Sequence, residues 1–295
     1  MTLASWARAI QACGVDVRRN EPLAAHTTFR VGGPADAYCE PLSADGLIDA
    51  VRLCRQSEIP LFVLGAGSNV LFSDAGWRGV VLATRRMRGI TVTDAGLSAS
   101  AGEPLSRLIA AAENRGSQSL GFLVGIPGSV GGSLATNAGI PGRSLGDVVR
   151  RVLVLDEGGQ TLTLSPDACA FGYRTSSIRA RRLVVLSADF TFDDRVYDAD
   201  ALLARRSATQ PIGEASAGCV FRNPPGESAG ALIDACGLKG LAQGHAQVSE
   251  KHANFIVNTG GATSAEICKL IDIVRQKVYK TYQVSLDLEV EVVNG

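Results

Sequence analysis

Gly125-Ile126-Pro127-Gly128-Ser129-Val130-Gly131-Gly132-Ser133-Leu134-Ala135-Thr136-Asn137-Ala138-Gly139 places five glycines in fifteen residues with almost no bulky side chain. A backbone so bare of Cβ atoms can wrap a flat ligand or a pyrophosphate, and it can equally pack against a sheet with no ligand. A second loop of this kind lies upstream. The apolar run Leu61–Leu64 has strand length and leads into Gly65-Ala66-Gly67-Ser68-Asn69-Val70-Leu71, whose backbone N–H groups are free to approach an anion. Two common nucleotide signatures are ruled out. Val70 stands at the third glycine of Gly-x-Gly-x-x-Gly, Ser73-Asp74 reads as a turn where a crossover helix would continue, and no Gly-Lys-Ser/Thr occurs. Two glycine loops in one domain favour a large phosphorylated cofactor.

Working outward, the apolar runs 79–83, 152–155 and 183–186 read as further buried strands. Helical spacing is clearest over Ala44–Gln56, 105–115, 230–236 and Ser264–Tyr282, with Ser43, Asp45 and Ser264 as candidate caps. Residues 1–14 space Leu3, Trp6, Ala7, Ile10 and Cys13 as a first helix, without the basic start, apolar run and cleavage site of a signal peptide. The segment 285–293 alternates Leu286, Leu288, Val290 and Val292 with Asp287, Glu289 and Glu291, the pattern of a half-wet final strand. The polar stretch 193–200 is the expected domain boundary. It separates residues 1–192, with an internal break near 72–84, from 193–295.

Composition narrows the function. The 295 residues carry 29 basic and 29 acidic side chains, so no overall charge draws the chain to nucleic acid or an anionic membrane. No apolar run approaches the roughly 18 residues of a membrane span. Seven cysteines without a Cys-x-x-Cys pair suggest a reducing cytoplasm, and three histidines without ligand spacing give no metal site. No feature calls for an obligate protein partner.

The resemblance that decides the reading runs through the chain in order. It comprises His26-Thr27-Thr28-Phe29-Arg30-Val31-Gly32-Gly33-Pro34, Leu64 to Leu71, Ala101-Gly102-Glu103-Pro104-Leu105, the loop 125–139 and Phe171-Gly172-Tyr173-Arg174-Thr175-Ser176. It continues through Gly218-Cys219-Val220-Phe221-Arg222-Asn223-Pro224, Leu238-Lys239-Gly240, Ser249 to Asn258 and Leu286 to Val290. Together these resemble the UDP-N-acetylenolpyruvoylglucosamine reductase family.

The resemblance implies an α+β chain: a two-part FAD-binding domain of the vanillyl-alcohol-oxidase type and a smaller α/β substrate-binding domain. It implies FAD held by Gly65, Ala66, Gly67, Ser68, Asn69, Val70 and Leu71, and by Gly125, Ile126, Pro127, Gly128, Ser129, Gly131, Gly132, Asn137 and Gly139. NADPH would be co-substrate, and the nucleotide sugar would accept hydride on its enolpyruvyl ether in peptidoglycan synthesis. Arg174 matches the arginine that faces the substrate carboxylate, and Glu289 matches the catalytic glutamate. Cys219 stands where the family usually has a serine proton donor. A thiol, with an ordinary pKa near 8.5, is the stronger acid, so the chemistry survives the exchange. Tyr173, Asn223 and Lys239 match substrate-binding positions, and His252 suits a structural role as well as a functional one. The short stretch between Phe190 and Gln210 places the chain in the class that lacks a tyrosine-bearing insertion. A flavin oxidase of the same cofactor fold would explain the loops but not the motifs after residue 210. A binder that has lost catalysis would not need Arg174 and Glu289.

Overall fold

Period-two burial marks the centre of the larger sheet: along Val184–Thr191, Leu186, Ala188 and Phe190 are buried while Ser187, Asp189 and Thr191 are partly exposed. The computed structural model describes residues 3–94 and 96–294, with the backbone alone for 3–5. Within it this strand occupies the middle of a five-stranded antiparallel sheet ordered Thr161–Leu164, Val149–Leu155, Val184–Thr191, Gly96–Ser100, Ile90–Thr93. Leu105–Asn114 and Val130–Ala135 pack against it, closing a core that includes Leu105, Leu108, Phe122, Leu134, Val152 and Phe190. Each such side chain contributes about 1.5–3 kcal/mol on full burial, more than a helix cap, so the apolar pattern dominates the choice of fold.

A four-stranded sheet runs Val15–Pro22, Pro34–Pro41, Trp77–Ala83, Leu61–Leu64. Its last pair is parallel, with Leu61 opposite Val80 and Leu64 opposite Ala83. Val80, Val81, Leu82 and Ala83 are all buried, which is why this run is apolar without alternation. Trp6 and Ile10 of the helix Leu3–Ala12, with Leu47 and Val51 of Ala44–Gln56, cover it. Leu155, Val184 and Leu186 join the same core, so the five-stranded sheet and most of the four-stranded one belong to one compact unit of residues 1–20, 36–66 and 79–204. Met1 and Thr2 of the expected first helix lie outside the described residues.

The other unit comprises residues 21–35, 67–78 and 205–295. A three-stranded antiparallel sheet of Ala242–Gln243, Ala246–Val248 and Ile256–Asn258 packs with the helices Ala229–Ala235 and Ser264–Tyr282. Ile267, Leu270, Ile271, Val274 and Val278 form the buried stripe of the long helix. The early segments are held here by specific bonds. Val70–Phe72 pairs in parallel with Glu291–Val293. Asp74 accepts the N–H groups of Ser264 and Ala265 at 2.8 and 3.2 Å and returns its own N–H to the Ser264 hydroxyl at 2.8 Å.

The packing therefore divides the chain at several points, where the sequence suggested one main cut at 192/193. The long C-terminal portion begins at residue 205, inside the helix Ala199–Thr209. The polar stretch before it stays with the first unit because Asp193 pairs with buried Arg143 and the Tyr197 ring lies 5.6 Å from Phe122. Two local expectations are corrected. Thr263, not Ser264, caps the last helix, in a reciprocal box with Glu266 at 3.1 and 3.0 Å. Of the expected strand 285–293 only Glu291–Val293 forms, because residues 287–290 bond instead to the irregular segment 220–222. Glu289 is thus partly buried and Glu291 exposed, and they do not share a strand face.

Asp74 satisfies two orphan donors of the longest helix, so Asp74→Ala should lower stability by about 1–2 kcal/mol in urea denaturation. Asp74→Asn, which keeps one acceptor, should recover part of that loss.

Candidate active site

The strand Leu61–Leu64 ends at Gly65, where an added Cβ would stand 2.5 Å from the Ser129 hydroxyl and 3.7 Å from Gly132. Only glycine lets the backbone come so close to the second loop. Ser129 caps the short helix Val130–Ala135 by accepting from Gly132 N–H at 3.5 Å. The loop is fastened from beneath: Val130 and Gly131 donate to the carbonyls of Glu103 and Ala101, both at 2.8 Å. Gly125, Pro127 and Gly132 remain exposed. Neither 65–71 nor 125–139 contains an Asp or Glu. Bare backbone, a helix start and the absence of carboxylates fit the diphosphate and flat ring of FAD. In the other unit Gly67 has φ +69°, and a Cβ on it would sit 2.1 Å from the His26 carbonyl oxygen.

The turn Gly172 to Ser176 is tied to the 125–139 loop at three points. Asn137 donates its amide to the Gly172 carbonyl at 3.0 Å and accepts Gly146 N–H at 2.9 Å. Arg174 reaches the Gly139 carbonyl at 3.5 Å, and the Ser176 hydroxyl donates to the Ala135 carbonyl at 2.8 Å. Asn137 and Arg174 both hold left-handed backbone, at φ 48° and 55°. Such strain in a residue with a Cβ persists only where its surroundings enforce it. The Arg174 guanidinium lies 5.6 Å above the exposed Tyr173 ring.

In the second unit, the segment after Gly218 (φ +75°) is bonded along both edges. On one side, Cys219 bridges Phe255 and Val220 N–H donates to the Asn254 carbonyl at 2.8 Å. On the other, the Val220 carbonyl accepts Glu289 N–H at 2.8 Å. Asn69 donates its amide to the Glu289 carbonyl at 3.1 Å and accepts Glu291 N–H at 3.0 Å. Half-buried Cys219, Glu289 and the end of the first glycine loop are therefore one hydrogen-bonded piece.

The remaining candidates gather around the helix Ala229–Ala235. Asn223 accepts Ala229 N–H at 3.0 Å at its start, and Lys239 pairs with Asp234 at 2.7 Å near its end. The His252 imidazole lies over Gly230, where a Cβ would come within 3.3 Å of Cε1. Burial, with a smaller push from Lys239, holds His252 below its ordinary pKa.

Three further residues of the motifs 101–105 and 249–258 take part in this arrangement. Glu103 is 1% exposed, accepts Gly89 N–H at 2.8 Å and supports Val130 through its carbonyl. Asn254 and Ser249 are buried at 3% and 2%. Nothing in their spacing marks them, and their part becomes visible only once burial is known.

Comparison with known proteins agrees with this geometry. An FAD binding domain matches residues 35–165, and the C-terminal domain of UDP-N-acetylenolpyruvoylglucosamine reductase matches residues 210–293. The chain is 42% identical to the UDP-N-acetylenolpyruvoylglucosamine reductase of Moorella thermoacetica over 285 residues, covering 94% of this chain and 93% of the relative. It is 42% identical to that of Synechococcus sp. over 93% of this chain and 90% of the relative. The crystal structure of the Thermus caldophilus reductase superposes with a TM-score of 0.79 at 33% identity, covering 94% of this chain and 98% of that one. The fold and the loops are those of an FAD-containing oxidoreductase. More narrowly, the chain belongs to the UDP-N-acetylenolpyruvoylglucosamine reductase family. Among the described residues no helix is long and apolar enough to cross a membrane, and no group of three or more His, Cys, Asp or Glu could hold a metal ion.

Two measurements follow. Gly67→Ala combines a left-handed φ with a backbone clash, so titration with FAD should show binding at least about tenfold weaker than wild type, the change expected for about 1.4 kcal/mol of strain or more. His252 is held neutral, so the unfolded chain binds its proton first as pH falls below about 6.5 and native stability declines there. His252→Gln should flatten that part of the curve of denaturation midpoint against pH.

Proposed function

We propose that the chain reduces the enolpyruvyl ether of UDP-N-acetylglucosamine to UDP-N-acetylmuramate, with NADPH as reductant, in the cytoplasm and for peptidoglycan synthesis. The observation that carries this reading is the bonded unit of Cys219, Val220, Glu289 and Asn69, which joins an acid and a carboxylate to the end of a cofactor loop.

FAD, when bound, supplies hydride chemistry: electrons accepted from NADPH and passed to the terminal methylene carbon of the ether. Negative charge then develops on the adjacent carbon and its carboxylate, and the Arg174 guanidinium stabilises it. Its strained backbone and its bond to Gly139 fix it in advance of reaction, which is what such stabilisation requires. Cys219 gives its S–H proton to that same carbon, so a C–H bond forms as the S–H bond breaks, and the thiolate regains a proton from solvent. Glu289 orients the reacting group from the other edge of the same segment. Lys239 offers a point charge to the substrate diphosphate, and Asn223 and Tyr173 contact the nucleotide sugar.

Anaerobic half-reactions test the assignment. Cys219→Ala should be reduced by NADPH at the wild-type rate, while reoxidation by the enolpyruvyl substrate slows by about 100-fold or more, the usual contribution of a positioned acid. Cys219→Ser should retain substantial activity. Normal reoxidation in the Ala variant would remove Cys219 from the mechanism. Failure of the wild type to consume NADPH when the substrate is added would end the proposed function.

A further inference from the structure

The thiol assigned above is placed by its C-terminal neighbours. Gly218 before it has φ +75° with no heavy atom within 4 Å of where a Cβ would sit, and Ala217 before that is buried in the core of this unit. After it, Val220 and Phe221 are gripped by one residue. Asn254 accepts Val220 N–H on its main-chain carbonyl at 2.8 Å and Phe221 N–H on Oδ1 at 2.9 Å, and it donates Nδ2–H to the Phe221 carbonyl at 2.8 Å. Its side chain thus acts as an added peptide group at 3% exposure. Only an amide accepts and donates at once in this geometry; Asp, Ser or Leu leaves a buried backbone group unpaired.

Asn254 is itself rigidly mounted. The Ser249 hydroxyl accepts N–H from Lys251 at 3.2 Å and from His252 at 3.4 Å. Ser249 N–H bonds to the Phe255 carbonyl, and Phe255 N–H to the His252 carbonyl, both at 2.9 Å. Asn254 N–H closes the turn on His252 Nδ1 at 3.3 Å. Phe255 then bridges Cys219.

We propose that Asn254 is a positioning residue for the Cys219 thiol: its amide fixes the two residues that follow the cysteine and thereby sets where sulfur stands relative to the reacting carbon. The catalytic part of this inference rests on Cys219 being the proton donor; the structural part does not.

The experiment uses the flavin-loaded enzyme and its Asn254→Asp variant, which keeps the shape and the acceptor and loses the donor. Iodoacetamide labelling is followed thiol by thiol by peptide mass spectrometry, with Cys236 and Cys268, half-buried in the same unit, as references. The Cys219 rate should change by about tenfold while the two references stay within about twofold. Flavin reduction by NADPH should be unaltered, and reoxidation by the enolpyruvyl substrate should slow by about tenfold or more. Placed on Cys219→Ala, the same substitution should add less than about twofold, because the group it positions is gone. Equal changes at all three thiols, an unchanged Cys219, or losses that multiply in the double variant would each overturn the inference and leave Asn254 a packing residue. Normal reoxidation in Cys219→Ala alone would instead overturn the proton-donor assignment, and the labelling result would still decide what Asn254 does. If the Asp variant does not fold, Asn254→Ser carries the same measurements.

Discussion

A parallel pairing of three residues, Val70–Phe72 against Glu291–Val293, is the constraint that ties the segment carrying Glu289 to the first glycine loop. It joins the exit of the first glycine loop to the end of the chain, and Asn69 reaches across 220 positions of sequence to the Glu289 carbonyl. Closing so long a loop is costly in entropy and slow to find. The contact is kept by what surrounds it: Leu71, Val290 and Ala217 are buried together, and Asp74 clamps the start of the helix Ser264–Tyr282. That pairing anchors the residues just after Glu289, whose own segment forms no strand and is held by its bonds to residues 220–222.

Side-chain amides hold the functional loops where regular structure stops. Asn69 does so for Glu289, Asn137 for the Gly172 turn, Asn254 for Phe221, and Asn258 for the Phe29 carbonyl at 2.9 Å. An irregular segment has backbone donors and acceptors that no sheet ladder satisfies, and a buried one left unpaired costs about 1–3 kcal/mol. Asparagine is the shortest side chain that carries its donor and its acceptor on separate atoms, as a peptide group does, and its tolerance of left-handed backbone suits Asn137 at φ 48°. These residues therefore do for loops what strand neighbours do for strands.

The elements legible in the sequence were those set by local pattern. Leu61–Leu64, Ala44–Gln56 and Ser264–Tyr282 have the bounds that their apolar spacing implies, because a buried face is written into three or four consecutive turns or alternations. The last segment misled for a physical reason: Leu286 and Val290 are buried as alternation requires, yet alternation reports burial and not pairing, and the partner here is an irregular loop. The units were illegible because 21–35 and 67–78 join residues far along the chain through a short strand pairing, a few side-chain bonds and shared core residues, which leave no composition shift. The candidate site divides in the same way. Arg174, Cys219 and Glu289 came from resemblance, whereas Glu103 and Asn254 act through burial and backbone bonds that no spacing encodes.

The same distinction bears on the cysteine itself. A thiol needs less from its surroundings than a hydroxyl to lose a proton, since its ordinary pKa is near 8.5, but sulfur is larger and its hydrogen bonds are weak, so its direction is poorly defended by its own contacts. The direction must then come from the main chain. At Cys219 the backbone is bonded on one edge through Asn254 and Phe255 and on the other through Glu289. On the proposed mechanism, the exchange of hydroxyl for thiol transfers the work of orientation from the donor atom to the segment that carries it.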